Sequence, residues 1–585
     1  MAQPVLSRVA EARTFLSKLW KLTAPYWWSE ERWFARGMLA LIVGLNIFSV
    51  YLLKLYNDWN GRFFNALQDK NQETFFTELK YFAVLVAVFI INAMYRVWLR
   101  QLLSLRWRQW LTKEYAGTWL ADRTYYRMEL TGHGTDNPEQ RIEQDIYNFT
   151  ISTLTISLTL LSEVMSLVTF AVILWQLSGA ITIPILGGIQ IPGYMMWVAI
   201  AYALVGSWLT YAIGKPLARI NFEQERYNAD FRYRLMRVRE NAESIALYEG
   251  ENDEKRRLTH SFSFIYANYR RLMTYTKRLN GLNAFYGQVA SIFPLVVAAP
   301  GYFAGAIPLG VLMQTANAFG QVQSSLSWFV DQFQTLAEWK AVVDRLTTFT
   351  ESMSLARTAQ HEQAFAKTQS PGGYLALEDV EVALPNGRVL LDDVDLTVRR
   401  GERVVIQGPS GSGKTTLFRV LSGLWPFGKG IIRLPAGAKP LFLPQRPYIP
   451  IGTLKEALCY PDKPEAHSDA EVGEAMTLCQ LGQFADRLNE SGNWAMSMSP
   501  GEQQRLSFAR ALLVKPDWLF LDEASSALDE ATEAAMYRLI AERLPGLTMV
   551  SIAHKPSVVA FHNRRVVLDP EARAISVEAP APAGA

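Results

Sequence analysis

The sequence predicts an α-helical membrane domain with six spans, followed by an α/β domain built around a phosphate-binding loop. The 585 residues exceed what a single hydrophobic core usually supports, so at least two units are expected. Long apolar segments are confined to residues 34–335, whereas 373–570 alternate short β-branched runs with helical patterns. A Gly-rich stretch, Gly408–Thr416, lies between an apolar run and an amphipathic one, as in a strand–loop–helix unit.

Residues 1–33 combine basic side chains with apolar residues and the pair Trp27-Trp28. This pattern predicts an amphipathic segment at the cytoplasmic surface of a membrane. No short apolar stretch precedes a small-residue cleavage site, so we expect no secretory signal peptide. The first membrane span would then act as the insertion signal.

Six apolar stretches are each long enough to cross a hydrocarbon core, which needs about 20 residues. The sixth is rich in Gln, Ser and Asn, a polarity that suits a helix lining an aqueous cavity. Together they define a membrane domain over residues 34–350. The approximate spans are 34–56, 81–103, 151–177, 193–213, 282–304 and 307–333.

Basic residues are concentrated in the N-terminal segment and in the stretches 104–150 and 214–281, whereas 178–192 and 305–306 carry no charge. Cytoplasmic loops carry an excess of Lys and Arg. Both termini and both long loops are therefore predicted to be cytoplasmic. The net charge of +3 is too small to indicate a partner by itself.

One stretch after the second span interleaves basic and aromatic side chains. Nucleic-acid stacking is one interpretation of such a pattern. Directly after a membrane span, interfacial anchoring is the better interpretation, and no nucleic-acid partner is expected. The residues are Arg106, Trp107, Arg108, Trp110, Lys113, Trp119, Arg123, Tyr125, Tyr126 and Arg127.

Residues 351–372 are polar and lack strong periodicity, which predicts a linker. The α/β domain is then assigned to 373–572, and the Ala/Pro/Gly-rich end, 573–585, to a disordered tail. Cys459 and Cys479 show neither metal-ligand spacing nor a disulfide framework. We expect both to be free thiols in a reducing compartment.

The Gly-rich stretch has the pattern of a phosphate-binding loop. Its glycines allow successive backbone N–H groups to curl around a phosphate, and the helix that follows directs its positive end at the same anion. Lys414 is expected to reach the β- and γ-phosphates, and the Thr415 hydroxyl to ligate Mg²⁺. The predicted nucleotide-binding residues here are Gly408, Pro409, Ser410, Gly411, Ser412, Gly413, Lys414, Thr415 and Thr416.

Further along, polar residues follow three apolar, strand-like runs. Gln445 is placed to sense Mg²⁺ and an attacking water. Asp522 is expected to hold Mg²⁺, and Glu523 to accept the proton of that water. His554 lies where a γ-phosphate contact is expected. Taken singly, Gln445 or His554 fits an ordinary surface residue, but the order and spacing of the set favour catalysis.

Ser499 and Glu502 form the pattern of a capping box at the start of a helix, which makes a second anion site. Ser499, Gly501 and Glu502 are therefore added to the predicted nucleotide-binding residues.

These motifs closely resemble the nucleotide-binding domain of ABC transporters: Walker A at 408–415, Q-loop Gln445, signature 499–502, Walker B Asp522 with Glu523, D-loop Asp529 and switch His554. The resemblance implies ATP and Mg²⁺ as cofactors and an exporter-type, or type IV, fold for the membrane half. It also implies that two such domains face each other with ATP between them, and that Asp529 contributes to nucleotide binding. One chain carries one set of motifs, so a homodimer is expected.

The chain departs from the family pattern at two positions. Pro500 replaces the usual Gly of the signature, but Pro is well tolerated at the first position of a helix. Leu384 stands where the family has an aromatic residue that stacks on adenine. The missing N–H of Pro500 is expected to remove one donor to the γ-phosphate. Leu384 concerns adenine affinity or base selectivity and leaves the phosphate chemistry in place.

The membrane half resembles the fused permease/ATPase relatives of the SbmA/BacA peptide-uptake proteins, a group similar to peroxisomal acyl-CoA transporters. The resemblance rests on 57–60, 63–67, 137–142 and 241–246. It implies that the last two motifs couple the membrane domain to the ATPase domains. The coupling candidates are Asn137, Arg141, Glu240 and Glu243. Glu240 and Glu243 also fit a solvated helical charge pattern.

The expected function is ATP-driven movement of a bulky substrate across a bacterial inner membrane, with uptake of hydrophilic cargo such as peptides or cobalamin favoured by the resemblance. Export of lipid-like, acyl-CoA-like or drug-like molecules is the first alternative. An ATP-driven regulatory membrane protein without cargo is the second.

Glu163 lies deep in the third predicted span, where a carboxyl group is costly unless it is paired, neutral or facing water. It is a candidate for the transport cavity, the alternative being a protonated structural carboxyl. Glu163→Gln is expected to impair transport and to spare basal ATPase activity, both measured in proteoliposomes. Unchanged transport would exclude the cavity role.

Overall fold

The computed structural model describes residues 3–130, 137–178, 180–183, 189–362, 365–370 and 372–578. The chain divides into two compact units. The first contains residues 1–117 and 137–350, and the second contains 118–136 and 351–585. A short stretch that follows the second predicted span thus belongs to the same unit as the α/β domain.

The described residues up to 362 are mostly helical. The helices are α1 (Gln3–Trp27), α2 (Arg32–Gln68), α3 (Gln72–Leu120), α4 (Thr124–Leu130), α5 (Pro138–Gln140), α6 (Ile146–Ser178), α7 (Tyr194–Glu240), α8 (Ala242–Leu247), α9 (Glu251–Phe303), α10 (Leu309–Asp331) and α11 (Phe333–Glu362), with a π-helical turn at Arg141–Asp145 and a 3₁₀ turn at Ala121–Arg123. Strands β1 (Ala180–Ile183) and β2 (Ile189–Pro192) form an antiparallel hairpin between α6 and α7.

Within the described residues, five helical stretches are long and apolar enough to cross a membrane; they contain α2, α3, α6, α7 and α9. The sixth predicted span corresponds to α10, whose Gln, Ser and Asn side chains lower its hydropathy. It packs against α2, α6, α7 and α9. Its Ala318 and Phe319 are buried in a cluster with α6 and α7 residues, so α10 is an inner helix of this unit.

The start of α10 lies directly against the end of α2. Asn65 Oδ1 accepts a hydrogen bond from the Gly310 N–H at 2.8 Å, and Gln68 Oε1 accepts one from the Leu309 N–H at 2.6 Å. These side chains satisfy N–H groups that the helix itself leaves without partners. A Cβ on Gly310 would collide with the Gly61 carbonyl oxygen, so only glycine permits this approach.

The interfacial role expected for Trp107 is wrong. This indole is 1% exposed and stacks on Tyr26 of α1, with ring centroids 5.6 Å apart, and meets Phe149 of α6 edge to face. The ring therefore joins three helices instead of facing a membrane surface. The apolar side of α1 supplies part of that contact, which is consistent with its amphipathic sequence.

A buried carboxylate joins the turn after α5 to α11. Asp145 is 1% exposed and accepts hydrogen bonds from Arg345 Nε at 2.9 Å, Arg345 Nη2 at 2.6 Å and Arg141 Nη1 at 2.8 Å. Two guanidinium groups thus compensate one buried charge, which would otherwise be costly. Arg141, a coupling candidate, is held in this cluster.

The second unit contains two larger sheets. The six-stranded sheet has the order β14–β13–β6–β12–β11–β8, with all neighbours parallel except the pair β13/β14; the four-stranded sheet has the order β3–β7–β4–β5. The strands are β3 (Ala366–Ser370), β4 (Leu375–Ala383), β5 (Val389–Val398), β6 (Arg403–Gln407), β7 (Gly428–Pro435), β8 (Pro440–Leu443), β9 (Gly452–Thr453), β10 (Ser491–Gly492), β11 (Trp518–Asp522), β12 (Thr548–Ile552), β13 (Arg564–Asp569) and β14 (Ala574–Glu578).

The central strands are continuous apolar runs because both faces of a parallel sheet are covered. Two apolar clusters lie around them, one centred on α16 and the other on α12. The helices are α12 (Lys414–Leu421), α13 (Leu454–Cys459), α14 (Asp469–Leu478), α15 (Trp494–Ser497), α16 (Pro500–Val514), α17 (Glu530–Arg543) and α18 (Pro556–Val559), with 3₁₀ turns at Pro464–Ala466 and Gly482–Arg487. Both cysteines are free and buried, Cys459 in α13 and Cys479 directly after α14.

Two predicted segments differ from the structure. The linker assigned to 351–372 holds the last turns of α11 and strand β3, because Met353 and Ala356 are buried on one side of the helix and β3 pairs with β7. The tail assigned to 573–585 begins with β14, which pairs antiparallel with β13. Residues 579–585 lie outside the described residues.

Helix α4 and the turn before it belong to the second unit. Arg123 Nη1 donates to the Ser422 carbonyl oxygen at 2.9 Å, and Arg357 Nη2 pairs with Asp122 at 3.2 Å. Leu130 packs against the apolar cluster around α12. A piece of the loop predicted at 104–150 is therefore bound to the helix that begins at the phosphate loop.

Gly310→Ala is expected to destabilise the protein by about 1–3 kcal/mol, because the added methyl group pushes α10 away from α2. Thermal unfolding of the purified protein in detergent measures the change. Gly320→Ala, in the same helix with open space at the Cβ position, is the matched control and should not lower the melting temperature. Equal destabilisation by both changes would show that the contact has no special role.

Candidate functional site

The order of the six-stranded sheet brings the predicted catalytic residues together. The phosphate loop follows β6, His554 follows β12, Asp522 ends β11, and Gln445 follows β8. These four strands are adjacent and parallel, so their carboxyl ends lie along one edge. That edge is where ligands bind in open α/β sheets.

The phosphate loop has the backbone conformation that its glycines predict. Gly411 and Gly413 have φ values of 82° and 92°, in the left-handed region that favours glycine. Lys414 Nζ donates to the carbonyl oxygens of Gly408 and Pro409, both at 2.8 Å, so the ammonium group lies over the loop. The buried Ser412 Oγ has no hydrogen-bond partner within the described residues. This donor set fits a bound phosphate.

Thr415 and Asp522 supply hard oxygen ligands side by side. The Thr415 hydroxyl donates to Asp522 Oδ1 at 3.5 Å, and Asp522 is buried at the end of β11. Burial raises the pKa of Asp522 and the adjacent Glu523 carboxylate raises it further, whereas Arg419, Thr415 and Lys414 lower it. Burial also lowers the pKa of Lys414. Oxygen ligands of this kind suit Mg²⁺.

Glu523 lies between the other two predicted catalytic residues. Its Oε2 accepts a hydrogen bond from Gln445 Nε2 at 3.0 Å, and its Oε1 lies 3.6 Å from His554 Nε2. Its φ of 47° is in the left-handed region, uncommon for a non-glycine residue. The strand end thus turns sharply and places a partly exposed carboxylate between an amide and an imidazole, where a general base needs to be.

The capping box predicted at Ser499 is confirmed. Ser499 Oγ accepts a hydrogen bond from the Glu502 N–H at 3.3 Å, and Glu502 Oε2 accepts one from the Ser499 N–H at 2.8 Å. Pro500 occupies the first turn of α16, where its missing N–H breaks no helical bond. Gly501 approaches the Ala527 carbonyl oxygen, to which an added Cβ would lie at 3.4 Å.

Asp529 is the N-cap of α17, where its carboxylate accepts hydrogen bonds from the Ala531 and Thr532 N–H groups. These bonds lower the pKa of Asp529, that from Thr532 contributing most. Among the described residues, Ser499, Glu502 and Asp529 form hydrogen bonds with their own helix starts and with Gln483, and not with 408–416. The signature and the phosphate loop are therefore two separate parts of one chain's site.

Sequence reasoning missed Gln504, one turn into α16. Its buried amide donates to the Gln445 carbonyl oxygen at 3.1 Å and to Ser526 Oγ at 3.2 Å, and its Oε1 accepts from the Ala527 N–H at 2.8 Å. The amide thus connects the signature helix with the segments that follow β8 and β11. In the sequence, only its position within the signature stretch pointed to a role for Gln504, because a single glutamine forms no recognisable motif.

The remaining candidates lie elsewhere. Leu384 packs against the apolar cluster around α12. Asn137, Glu240 and Glu243 are exposed in the first unit. Glu163 accepts a hydrogen bond from Ser325 of α10 at 2.7 Å and lines a cavity of about 270 Å³ that also contains Arg96.

Comparison with known proteins identifies the family. Residues 19–303 match the model of ABC transporter transmembrane region 2, and residues 391–526 match the ABC transporter model. An uncharacterized ABC transporter ATP-binding protein of Haemophilus influenzae is 36% identical, over 95% of this chain and 93% of that protein. The chain belongs to the ABC transporter family. It is an ATPase coupled to transport, with a membrane region followed by an ATP-binding domain.

Two further relatives are similar to this ABC transporter over most of their length. The inner membrane ABC transporter ATP-binding protein YddA of Escherichia coli is 32% identical, over 93% of this chain and 96% of that protein. The human lysosomal cobalamin transporter ABCD4 is 29% identical, over 93% of this chain and 92% of that protein. Similarity over nearly the full length of each relative includes both units.

The fold of this ABC transporter is similar to that of a bacterial Atm1-family ABC exporter solved with ATP bound. The TM-score is 0.67 at 20% identity, over 94% of this chain and 95% of that one. The predicted exporter-type fold, a helical membrane domain followed by an α/β nucleotide-binding domain, is confirmed.

Gln504→Glu is expected to lower the kcat of ATP hydrolysis about 10-fold or more and to leave the KM for ATP within about 2-fold. A carboxylate of the same shape cannot donate to Gln445 and Ser526, and unsatisfied buried acceptors cost about 1–3 kcal/mol. Steady-state ATPase assays of the purified transporter measure both constants.

The control is Gln503→Glu, since Gln503 donates to the Ala495 and Met498 carbonyl oxygens and not to the segments after β8 and β11. Similar losses in both variants would indicate a general effect of negative charge on α16.

Proposed function

We propose that this ABC transporter works as a homodimer in a bacterial inner membrane and takes up bulky hydrophilic cargo such as peptides or cobalamin. The observation that carries the proposal is the position of α10, a helix rich in polar residues that packs against four of the five more apolar helical stretches. A helix of this polarity suits the wall of an aqueous path better than contact with lipid. Ser325 of α10 and Glu163 of α6 supply a hydrogen-bonded polar pair within it.

The relatives support the proposal at different levels. YddA of Escherichia coli is an inner membrane protein, and human ABCD4 is a cobalamin transporter. Membership of the SbmA/BacA-related group is part of the same proposal and rests on the motifs at 57–60, 63–67, 137–142 and 241–246. Predicted cytoplasmic termini follow from the charge bias of the loops.

The proposed chemistry uses residues already brought together at one sheet edge. When bound, ATP with Mg²⁺ supplies the phosphoryl group and the charge compensation for its transfer. Residues 408–416 would hold the phosphates, and Thr415 and Asp522 the Mg²⁺, with Gln445 beside it. Glu523 would accept the proton of the attacking water. Gln445 and His554 lie beside that carboxylate; Gln445 would sense Mg²⁺ and the water, and His554 would contact the γ-phosphate. A second copy would contribute Ser499, Gly501, Glu502 and Asp529 to the same nucleotide.

Coupling is proposed for two segments of the chain. Asn137 and Arg141 flank the short α5, and Arg141 is fixed by Asp145 together with Arg345 of α11. Glu240 and Glu243 flank the start of α8, after which Leu247 and Tyr248 are 77% and 85% exposed. Exposed large apolar side chains at a loop tip are typical of an interaction site. We propose that α8 binds the ATPase domain of the second copy.

The test is uptake of labelled peptide or cobalamin by proteoliposomes containing the purified transporter, with ATP supplied on the side of the ATPase domain. Glu523→Gln should abolish ATP-dependent accumulation and retain ATP binding, because it removes the base and leaves the phosphate loop intact. Lys414→Ala should abolish both, because it removes the cation that contacts the phosphates.

Each outcome bears on one part of the proposal. ATP-driven loss of a preloaded lipid-like substrate would reverse the proposed direction. ATP hydrolysis without movement of any tested cargo would favour the regulatory alternative. Residual tight ATP binding in Lys414→Ala would contradict the role of the phosphate loop.

A further inference from the structure

Two adjoining cavities lie between α3 and α6 in the first unit. One, of about 270 Å³, is lined by Asn46, Arg96, Arg100, Ser162 and Glu163, among others. The other, of about 300 Å³, is lined by Arg100, Ser104, Arg108 and Tyr147, among others. Arg100 lines both, so the two cavities form one groove.

The basic side chains of this groove form a row along α3. Arg96, Arg100 and Arg108, with Ser104 between the last two, follow one another at intervals of four residues. They therefore share one face of the helix. The row covers about 18 Å at 1.5 Å per residue. Arg108 lies beyond the second predicted span, on the side that the charge bias predicts to be cytoplasmic, and Arg96 lies roughly two turns inside the span.

Few acidic side chains pair with the arginines of this row. Arg108 pairs with Glu143 at 3.4 Å and lies over the Tyr147 ring. Arg96 Nη1 donates to Asn46 Oδ1 at 3.5 Å, an oxygen that also accepts from Ser162 Oγ at 2.9 Å. No ion pair of Arg96 or Arg100 occurs among the described residues, although Glu163 lines the same cavity.

The sequence offers few other acids at this depth. Across the six predicted spans, only Glu163 and Asp331 are acidic. A second copy of the chain therefore brings few carboxylates to the level of Arg96 and Arg100. An arginine in a span is costly unless it finds a partner or water, and both side chains are only partly exposed. The missing counter-charge points to an anion from outside the protein.

Apolar side chains border the groove. Val97, Leu105 and Ile151 line it and are 41%, 61% and 37% exposed. A water-soluble anion would gain nothing from this surface, whereas an acyl chain would be in contact with it while its headgroup meets the arginines. A single water molecule needs a cavity of about 10–15 Å³, and each of these cavities is far larger.

We propose that this groove binds an anionic phospholipid of the surrounding bilayer, with the headgroup phosphate at Arg96 and Arg100 and an acyl chain along Val97 and Leu105. Arg108 attracts the headgroup at the membrane surface, and Asn46 and Ser162 donate or accept hydrogen bonds at the inner end. The site is separate from the ATP site. It shares Glu163 with the proposed substrate path, but none of the residues assigned to the headgroup or the acyl chain belongs to that path.

The test uses the purified full-length transporter in nanodiscs of phosphatidylcholine with or without phosphatidylglycerol. Native mass spectrometry measures which lipid is retained, and thermal unfolding measures whether it stabilises. The wild type should retain phosphatidylglycerol over phosphatidylcholine by roughly tenfold or more, since each arginine attracts an anionic headgroup. The double variant Arg96→Gln/Arg100→Gln should lose that preference.

Two further variants separate charge from folding. Arg96→Lys/Arg100→Lys keeps both charges and should keep most of the preference. Lys54→Gln removes a cation from another predicted span, outside the two cavities, and should leave it unchanged. The wild-type comparison between the two lipids stands even if a variant fails to fold.

Several results would overturn the proposal. These are equal retention of both lipids by the wild type, an unchanged preference in Arg96→Gln/Arg100→Gln, or loss of preference in Lys54→Gln. A response to a single-chain acidic amphiphile but not to phosphatidylglycerol would assign the groove to free amphiphiles. A crosslink from Arg96 to a carboxylate of the second copy would assign it to the dimer interface.

Discussion

The parallel order β6–β12–β11–β8 is the constraint on which the ATPase site depends. Each strand delivers one functional segment at its carboxyl end, and hydrogen bonding between neighbours fixes the spacing of these segments. Up to 146 residues of sequence separate these segments, which carry the phosphate loop, His554, Glu523 and Gln445. They nevertheless lie along one edge of the sheet. A shift in the pairing of these strands would separate the catalytic residues even if no residue were substituted.

Charge balance at that edge adds a second requirement. Asp522 is buried and adjacent to Glu523, so two carboxylates share a small volume with Lys414. Burial raises the pKa of Asp522, repulsion by the Glu523 carboxylate raises it further, and a nearby cation opposes both effects. The arrangement therefore suits a bound metal ion. Gln504 contributes no charge and holds the Gln445 and Ser526 segments at fixed distances from α16.

Sequence patterns predicted features that depend on local spacing. The capping box at Ser499, the helix start at Pro500 and the strand that ends at Asp522 each require only neighbouring residues, and the structure confirms them. Sequence patterns gave wrong or incomplete predictions where residues distant in sequence determine the local structure. Trp107 is buried because Tyr26 and Phe149 surround it, and β3 is a strand because β7 lies beside it. Gln504 was missed because its partners are 22 and 59 residues away.

The sequence by itself determined that the chain has a membrane half and an ATP-hydrolysing half, because hydrophobic length and motif spacing are local properties of the chain. It also placed an acid, Glu163, inside a span. Only the tertiary structure decided what surrounds these residues: α10 as an inner helix, Ser325 against Glu163, and a row of arginines on α3 facing α6. The reason is physical. Side-chain partners come from helices far apart in sequence, and packing alone determines which faces meet.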